Sequence, residues 1–90
     1  IHRAKLYKDA GADSLFVIGL KDIKTVREIV SAVELPLNVV GISSLSSVDE
    51  LTDCGVKRIS MAGILYGTAY GKIDSLVNSI KKENSLSQLY

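Results

Sequence analysis

The sequence predicts an α/β fold built from parallel βα units. A nearly unbroken apolar run, Ser14–Ile18, lies between Gly11 and Gly19, and such a run indicates a strand buried on both faces of a parallel sheet. Two further strands are predicted at Leu37–Val40 and Val56–Met61, each after a helical pattern. Strands that alternate with helices in this way favour a parallel sheet with right-handed crossovers.

The first two helices have clear boundaries. Apolar residues recur at three-residue spacing through residues 1–10, which predicts a helix that ends before Gly11. After the first strand, Asp22 is placed to cap a second helix that runs to Val33. Pro36 prevents that helix from continuing, because proline lacks an amide hydrogen and disfavours helix before it.

The second half of the chain repeats this pattern. Ser47 and Glu50 have the spacing of a capping box, which predicts a short helix that ends before Gly55. We expect residues 1–83 to form one βα segment and residues 84–90 to form a polar tail. The last predicted helix carries one apolar stripe, formed by Tyr66, Ala69, Tyr70, Ile73, Leu76, Val77 and Ile80.

Composition excludes several classes of function. The 90 residues suffice for one small domain, and the net charge of +1 gives no electrostatic footprint for nucleic acid or an anionic membrane. No apolar run approaches the roughly 20 residues that a membrane-spanning helix needs. The single cysteine, Cys54, cannot form an internal disulfide, so we expect a reducing, cytoplasmic setting.

Three parallel strands suit either a segment of a (β/α)8 barrel or a small doubly wound sheet. Ile1 already lies inside a helical pattern with no capping residue before it, so we expect a piece of a longer protein, which favours the barrel segment. A barrel segment of three strands leaves two strand edges and apolar helix surface uncovered. We therefore expect stabilisation by further chain, by another copy, or by both.

In both architectures ligands bind at the carboxyl ends of the strands. Asn38 is the most informative residue there, because an amide in an otherwise apolar strand needs hydrogen-bond partners when it is buried. One interpretation is that Asn38 holds a substrate carboxylate or hydroxyl. The other is that it ties down the neighbouring loop.

For the other polar residues near the strand ends, an ordinary structural role is preferred to a functional one. The three loop serines and the lysine could donate to an anion, and Ser60 suits packing or a local backbone hydrogen bond. The arginine suits a structural ion pair, and the cysteine suits core packing rather than nucleophilic attack. These residues are Lys21, Ser43, Ser44, Ser46, Cys54, Arg58 and Ser60.

The chain contains no complete catalytic set. His2, the only histidine, lies on a helix far from any strand end, so no Cys–His or Ser–His pair is expected. No cluster of His, Cys or carboxylates has metal-ligand spacing. The segment Gly63–Gly67 could begin a phosphate site at a helix N-terminus, but the glycine-rich phosphate motifs are absent.

Several motifs together resemble the isocitrate lyase/phosphoenolpyruvate mutase superfamily. The resemblance is to the C-terminal part of that fold, the last three βα units of a (β/α)8 barrel, and it covers the chain to about residue 80. The motifs are Arg3-Ala4-Lys5-Leu6-Tyr7, Ala10-Gly11-Ala12-Asp13-Ser14-Leu15-Phe16-Val17, Leu35-Pro36-Leu37-Asn38-Val39, and Leu51 with Gly55-Val56-Lys57-Arg58-Ile59-Ser60.

The resemblance implies a Mg²⁺-dependent lyase or mutase that makes or breaks a C–C or P–C bond in a small 2-oxo acid or phosphonate carboxylate, through a metal-stabilised enolate. It also implies a homo-oligomer in which neighbours exchange the last helix. The metal-binding carboxylates and the lid loop of the superfamily lie upstream of this segment, so the 90 residues alone are expected to be inactive.

Only Asn38 corresponds to a functional position, a substrate-contacting asparagine in a Pro-x-Asn motif. Ile18 stands where many members of the superfamily have a glutamate, which leaves the reaction open. Two alternatives remain: a small noncatalytic flavodoxin-like interaction module, and a segment of a phosphate-binding barrel aldolase or synthase.

Overall fold

The computed structural model describes all residues from 1 to 90 and has the predicted alternation of helices and strands. Two short 3-10 turns, Ser43–Leu45 and Ser87–Leu89, complete the chain. The helices and strands are α1 (His2–Asp9), β1 (Leu15–Phe16), α2 (Ile23–Val33), β2 (Leu37–Val40), α3 (Val48–Asp53), β3 (Val56–Ser60) and α4 (Ile64–Glu83).

The three strands form one parallel sheet in the order β1-β2-β3, which confirms the α/β class. The first strand is shorter than the predicted Ser14–Ile18, because only Leu15 and Phe16 pair with β2. Beyond them, the amide of Val17 reaches the Asn38 carbonyl at a long 3.4 Å. An edge strand held on one side only loses its pairing early, and β1 has no neighbour on its other side.

The core lies between the sheet and the first three helices. Val26 of α2 and Val39 of β2 are completely buried, and Leu51 of α3 is 1% exposed. The chain therefore buries one apolar layer on the helical side of the sheet. The core consists of Ala4, Leu15, Val26, Ile29, Val33, Leu37, Val39, Leu45, Leu51, Cys54 and Val56.

Both predicted N-cap hydrogen bonds are present, although the reciprocal bond of the capping box, from the Ser47 amide to the Glu50 carboxylate, is not formed. The Asp22 carboxylate accepts a hydrogen bond from the Thr25 amide at 2.8 Å at the start of α2. The Ser47 hydroxyl accepts one from the Glu50 amide at 3.2 Å at the start of α3. These bonds satisfy amides that have no partner inside the helix, which fixes where each helix begins.

Strand β3 contains one extra residue relative to β2. Leu37 pairs with Val56, whereas Asn38 pairs with Arg58, so that Lys57 has no partner of its own. Such a β-bulge changes which face of the sheet the following side chains occupy. Val56 and Ile59 accordingly both pack toward the core although they are three residues apart.

Helix α4 extends away from the rest of the molecule. The structure measures 62 × 24 × 18 Å and has a radius of gyration of 19.2 Å, against about 12 Å for a compact chain of this length. No residue of α4 is buried, so the predicted apolar stripe is largely uncovered. Its exposed large side chains are Ile64, Leu65, Tyr66, Tyr70, Ile73 and Val77.

Candidate functional site

Asn38 is the only buried polar side chain of the structure, with 8% of its surface exposed. It lies on the face of the sheet that no helix covers, and we call this the open face. Its partner is Ser60 at the end of β3. The amide Nδ2 donates to the Ser60 hydroxyl at 2.9 Å, and the hydroxyl donates to Oδ1 at 3.2 Å. The buried amide is thus bonded across two strands rather than to the neighbouring loop.

The open face carries a row of side chains across all three strands. Phe16, Asn38 and Arg58 are register neighbours on β1, β2 and β3. Together with Ser14, Pro36, Leu37 and Lys57 they line a cavity of about 370 Å³. The cavity lies toward the amino ends of the strands, because Ser14 and Pro36 precede β1 and β2 and Ser60 is not part of its lining. Its lining includes two exposed cationic residues and no acidic residue.

The Arg58 guanidinium has no carboxylate partner among the 90 residues. The ion pair of the structure joins Lys8 of α1 to Glu34 after α2, at 3.0 Å. The structural ion pair expected for Arg58 is therefore not formed within this chain.

The loops at the carboxyl ends of the strands are tied together. The Ser44 hydroxyl donates to the Lys21 carbonyl at 2.6 Å, which joins the loop after β1 to the loop after β2. The Gly41 amide donates to the Ser60 carbonyl at 2.9 Å, which joins the loop after β2 to the end of β3. The side chains of Lys21, Ser43 and Ser46 are exposed.

Two carboxyl groups have lowered pKa values, and both have structural roles. At Asp22, hydrogen bonds from the amide and hydroxyl of Thr25 lower the pKa of the carboxyl group. At Glu34, the hydrogen bond from Lys8 and its charge lower the pKa. Asp22 lies near the strand ends, but Thr25 engages both of its oxygens, which leaves it a helix cap.

The remaining candidates lie away from Asn38 or are packed. Cys54 is buried and its thiol donates to the Leu51 carbonyl at 3.2 Å, which fits the packing role expected for it. His2 is exposed on α1. No three or more His, Cys, Asp or Glu side chains lie close enough together to hold a metal ion. No helix is long and apolar enough to cross a membrane.

Sequence reasoning did not connect Ser60 with Asn38. A regular β3 would place Ser60 on the helical side whenever Val56 faces the core, because side chains alternate along a strand. The signal that could have revealed the bulge is the apolar pair Val56 and Ile59, whose spacing of three does not fit a regular strand with one buried face.

A parallel α/β sheet whose strands alternate with helices is the arrangement of many enzymes and binding proteins for small molecules. Within this class the chain belongs to the phosphoenolpyruvate phosphomutase family, whose model matches residues 1–81. The resemblance to the isocitrate lyase/phosphoenolpyruvate mutase superfamily is thereby confirmed.

Two crystal structures from Burkholderia cenocepacia J2315 are similar to the chain. A candidate phosphonomutase is 37% identical, with a TM-score of 0.77 over 87% of this chain and 31% of its own length. A candidate lyase/mutase is 34% identical, with a TM-score of 0.83 over 96% of this chain and 32% of its own length. The chain thus spans about a third of each. No protein of curated function is significantly similar to it.

Proposed function

We propose that the chain is the C-terminal part, about three strands, of a (β/α)8-barrel lyase or mutase. The substrate would be a small 2-oxo acid or phosphonate carboxylate, and the reaction would make or break a C–C or P–C bond. The observation that carries the proposal is the family match over residues 1–81, together with the buried Asn38 amide of β2, which is bonded to Ser60 at the carboxyl end of β3.

We assign substrate binding to Asn38. An asparagine amide has two N–H donors and two acceptor lone pairs, and Ser60 engages one N–H and one lone pair. The second N–H can donate to a substrate carboxylate or phosphonate oxygen, and the second lone pair can accept from a hydroxyl. An N–H donor bonded to a charged oxygen forms a stronger bond than one bonded to a neutral oxygen.

The chemistry itself requires residues that this chain does not contain. The family expectation is that Mg²⁺ stabilises an enolate, and the resemblance implies that the carboxylates that would bind it lie upstream of residues 1–90. The open edge of β1 would pair with a further strand in such a barrel. Residues 1–83 would be the barrel segment, residues 84–90 a tail, and the segment alone would be inactive.

We propose a cytoplasmic homo-oligomer in which α4 packs on a neighbouring subunit. The apolar stripe of α4 has no cover in its own chain, and exposed apolar area of this kind is normally buried in an interface. An apolar groove of about 270 Å³ beside α3 and β3 could receive one or two apolar side chains of a neighbour's helix; its lining includes Ile42, Leu45, Val48, Leu51, Ile59, Met61 and Ile64, the first residue of α4. A reducing cytoplasm keeps a free thiol such as Cys54 reduced.

The test is turnover by the full-length protein. The purified protein is incubated with Mg²⁺ and, in separate reactions, with phosphonopyruvate, 2-methylisocitrate or oxaloacetate, and the products are followed by NMR. Turnover of one of these, lost when EDTA removes the metal and regained when Mg²⁺ is restored, is the expected result. Absence of turnover with all three would contradict the proposed reaction class and leave the fold assignment standing.

A further inference from the structure

We propose that Ser60 is a positioning residue, which holds the Asn38 amide in the orientation that presents its free N–H and lone pair to a ligand. The proposal rests on the substrate-binding role proposed for Asn38 and adds the residue that makes this role possible. The Ser60 hydroxyl would not donate to an anionic substrate, because its one proton is already directed to Oδ1 of Asn38.

An asparagine amide does not fix its own orientation. Rotation about its last side-chain bond has broad minima, so a buried amide takes the orientation that its hydrogen-bond partners impose. At Asn38, both ends of the amide are bonded to one hydroxyl: Nδ2 donates to it at 2.9 Å, and it donates to Oδ1 at 3.2 Å. One small side chain therefore fixes the plane of the amide, while the hydroxyl, which can donate and accept, is satisfied by either end of it.

The Ser60 side chain has no competing hydrogen bond. Its backbone carbonyl accepts from the Gly41 amide, and its hydroxyl bonds to Asn38 alone. A serine that served only local backbone structure would bond to its own or a neighbouring peptide group. The pairing of Ser60 with a side chain 22 residues away indicates a role in that partner's orientation.

The bulge at Lys57 makes the contact possible. Asn38 pairs in register with Arg58, and Ser60 lies two residues further along β3 on the same face. If β3 were regular from Val56 onward, Ser60 would face the helices, because successive side chains alternate between faces. The extra residue thus brings the hydroxyl to the open face and directs Asn38 toward the carboxyl end of β3, where ligands of such sheets bind.

The test compares Ser60→Ala with Ser60→Thr in the full-length protein. The first removes the hydroxyl, and the second retains it on a side chain suited to a strand. Ser31→Ala is the matched control, because Ser31 lies on the exposed side of α2 and bonds only to the Arg27 carbonyl. Crystal structures report the Asn38 orientation, and calorimetric titration with phosphonopyruvate reports binding.

We expect Ser60→Ala to rotate or disorder the Asn38 amide and to weaken phosphonopyruvate binding by roughly three- to tenfold, the usual equivalent of one hydrogen bond. Ser60→Thr should restore both properties, and Ser31→Ala should change neither. In a protein that already carries Asn38→Ala, Ser60→Ala should have no further effect on binding, because no amide remains to be positioned.

The inference would be overturned if the Asn38 amide kept its orientation in the Ser60→Ala structure. It would also be overturned if Asn38→Ala weakened phosphonopyruvate binding and Ser60→Ala left that binding unchanged. The proposed function fails by a different result, namely that the wild-type protein neither binds nor converts any substrate tested. In that case, comparison of the Asn38 orientation between crystal structures of the wild-type protein and of Ser60→Ala still decides whether Ser60 positions the amide.

Discussion

Gly55 joins α3 to the bulged strand β3. Its replacement by alanine should cost stability in two ways, through a left-handed backbone conformation and through steric overlap with Val30. The residue has φ = +94°, and a Cβ atom built on it would lie 2.8 Å from Cγ1 of Val30 in α2. Gly11 has a nearly identical φ of +97°, but a Cβ there would meet nothing within 4 Å. Gly11→Ala is therefore a control that has the same cost of a left-handed backbone but no steric overlap.

The expected losses in the free energy of unfolding follow from the backbone cost and the steric overlap. A residue with a Cβ in a left-handed conformation costs about 1–2 kcal/mol, and overpacking of a core costs about 1–3 kcal/mol. We expect Gly11→Ala to lower the free energy of unfolding by the first amount and Gly55→Ala by the sum, about 2–5 kcal/mol. The effect of the substitution on the unfolded chain is similar at the two sites and largely cancels in the comparison.

The assay is urea unfolding of the full-length protein and both variants at one pH. The midpoint should fall further for Gly55→Ala while the slope of the transition stays the same, because the surface exposed on unfolding does not change. Equal losses for the two variants would refute the steric role of Val30 beside Gly55.

Four further outcomes are expected. Deletion of Lys57 should move the following side chains of β3 to the wrong face and abolish soluble expression, whereas Lys57→Ala, which keeps the residue count, should express normally. Leu51→Ala should lower the free energy of unfolding by about 2–5 kcal/mol, measured in urea, because Leu51 is 1% exposed. The lowered pKa of Asp22 means that its contribution to stability is complete at neutral pH and is lost as pH falls below the ordinary range of an aspartate. Acid titration followed by circular dichroism should therefore show that Asp22→Asn loses less stability in acid than the wild-type protein does. Ile73→Asp on the exposed face of α4 should lower the mass of the oligomer in light scattering, and an unchanged mass would argue against α4 as the interface.

The sequence predicted α2 and β2 well because several local signals agree there. The Asp22 cap, the apolar stripe of α2 and the break at Pro36 all define the same helix, and Leu37–Val40 is apolar apart from Asn38. For β1, the apolar run is longer than the paired strand, because the length of an edge strand depends on a neighbour that the sequence does not reveal.

The site was predicted only in part. The sequence identified Asn38 as an amide that needs partners, and left open whether it serves a ligand or the loop. The structure assigns its protein partner, Ser60, which periodicity alone would have placed on the other face of the sheet. A pairing across 22 residues that depends on a bulge is not visible in local spacing.

The apolar stripe of α4 illustrates a different limit. Periodicity shows that one side of a helix is apolar, but not which molecule covers it. In the structure no residue of α4 is buried, although the stripe contains Tyr66 and Tyr70, whose rings lie 4.4 Å apart. The same pattern would appear in a helix packed on its own sheet and in one packed on a neighbour.

The most direct test of the substrate-binding role of Asn38 is the specificity constant of the full-length protein for the substrate that it converts. We expect Asn38→Ala to lower kcat/KM by roughly 10- to 150-fold, since a hydrogen bond to a charged group contributes about 1.5–3 kcal/mol. Asn78→Ala, at an exposed position of α4, should leave kcat/KM unchanged. An Asn38→Ala enzyme with the wild-type kcat/KM would contradict the assignment of Asn38 to the substrate site.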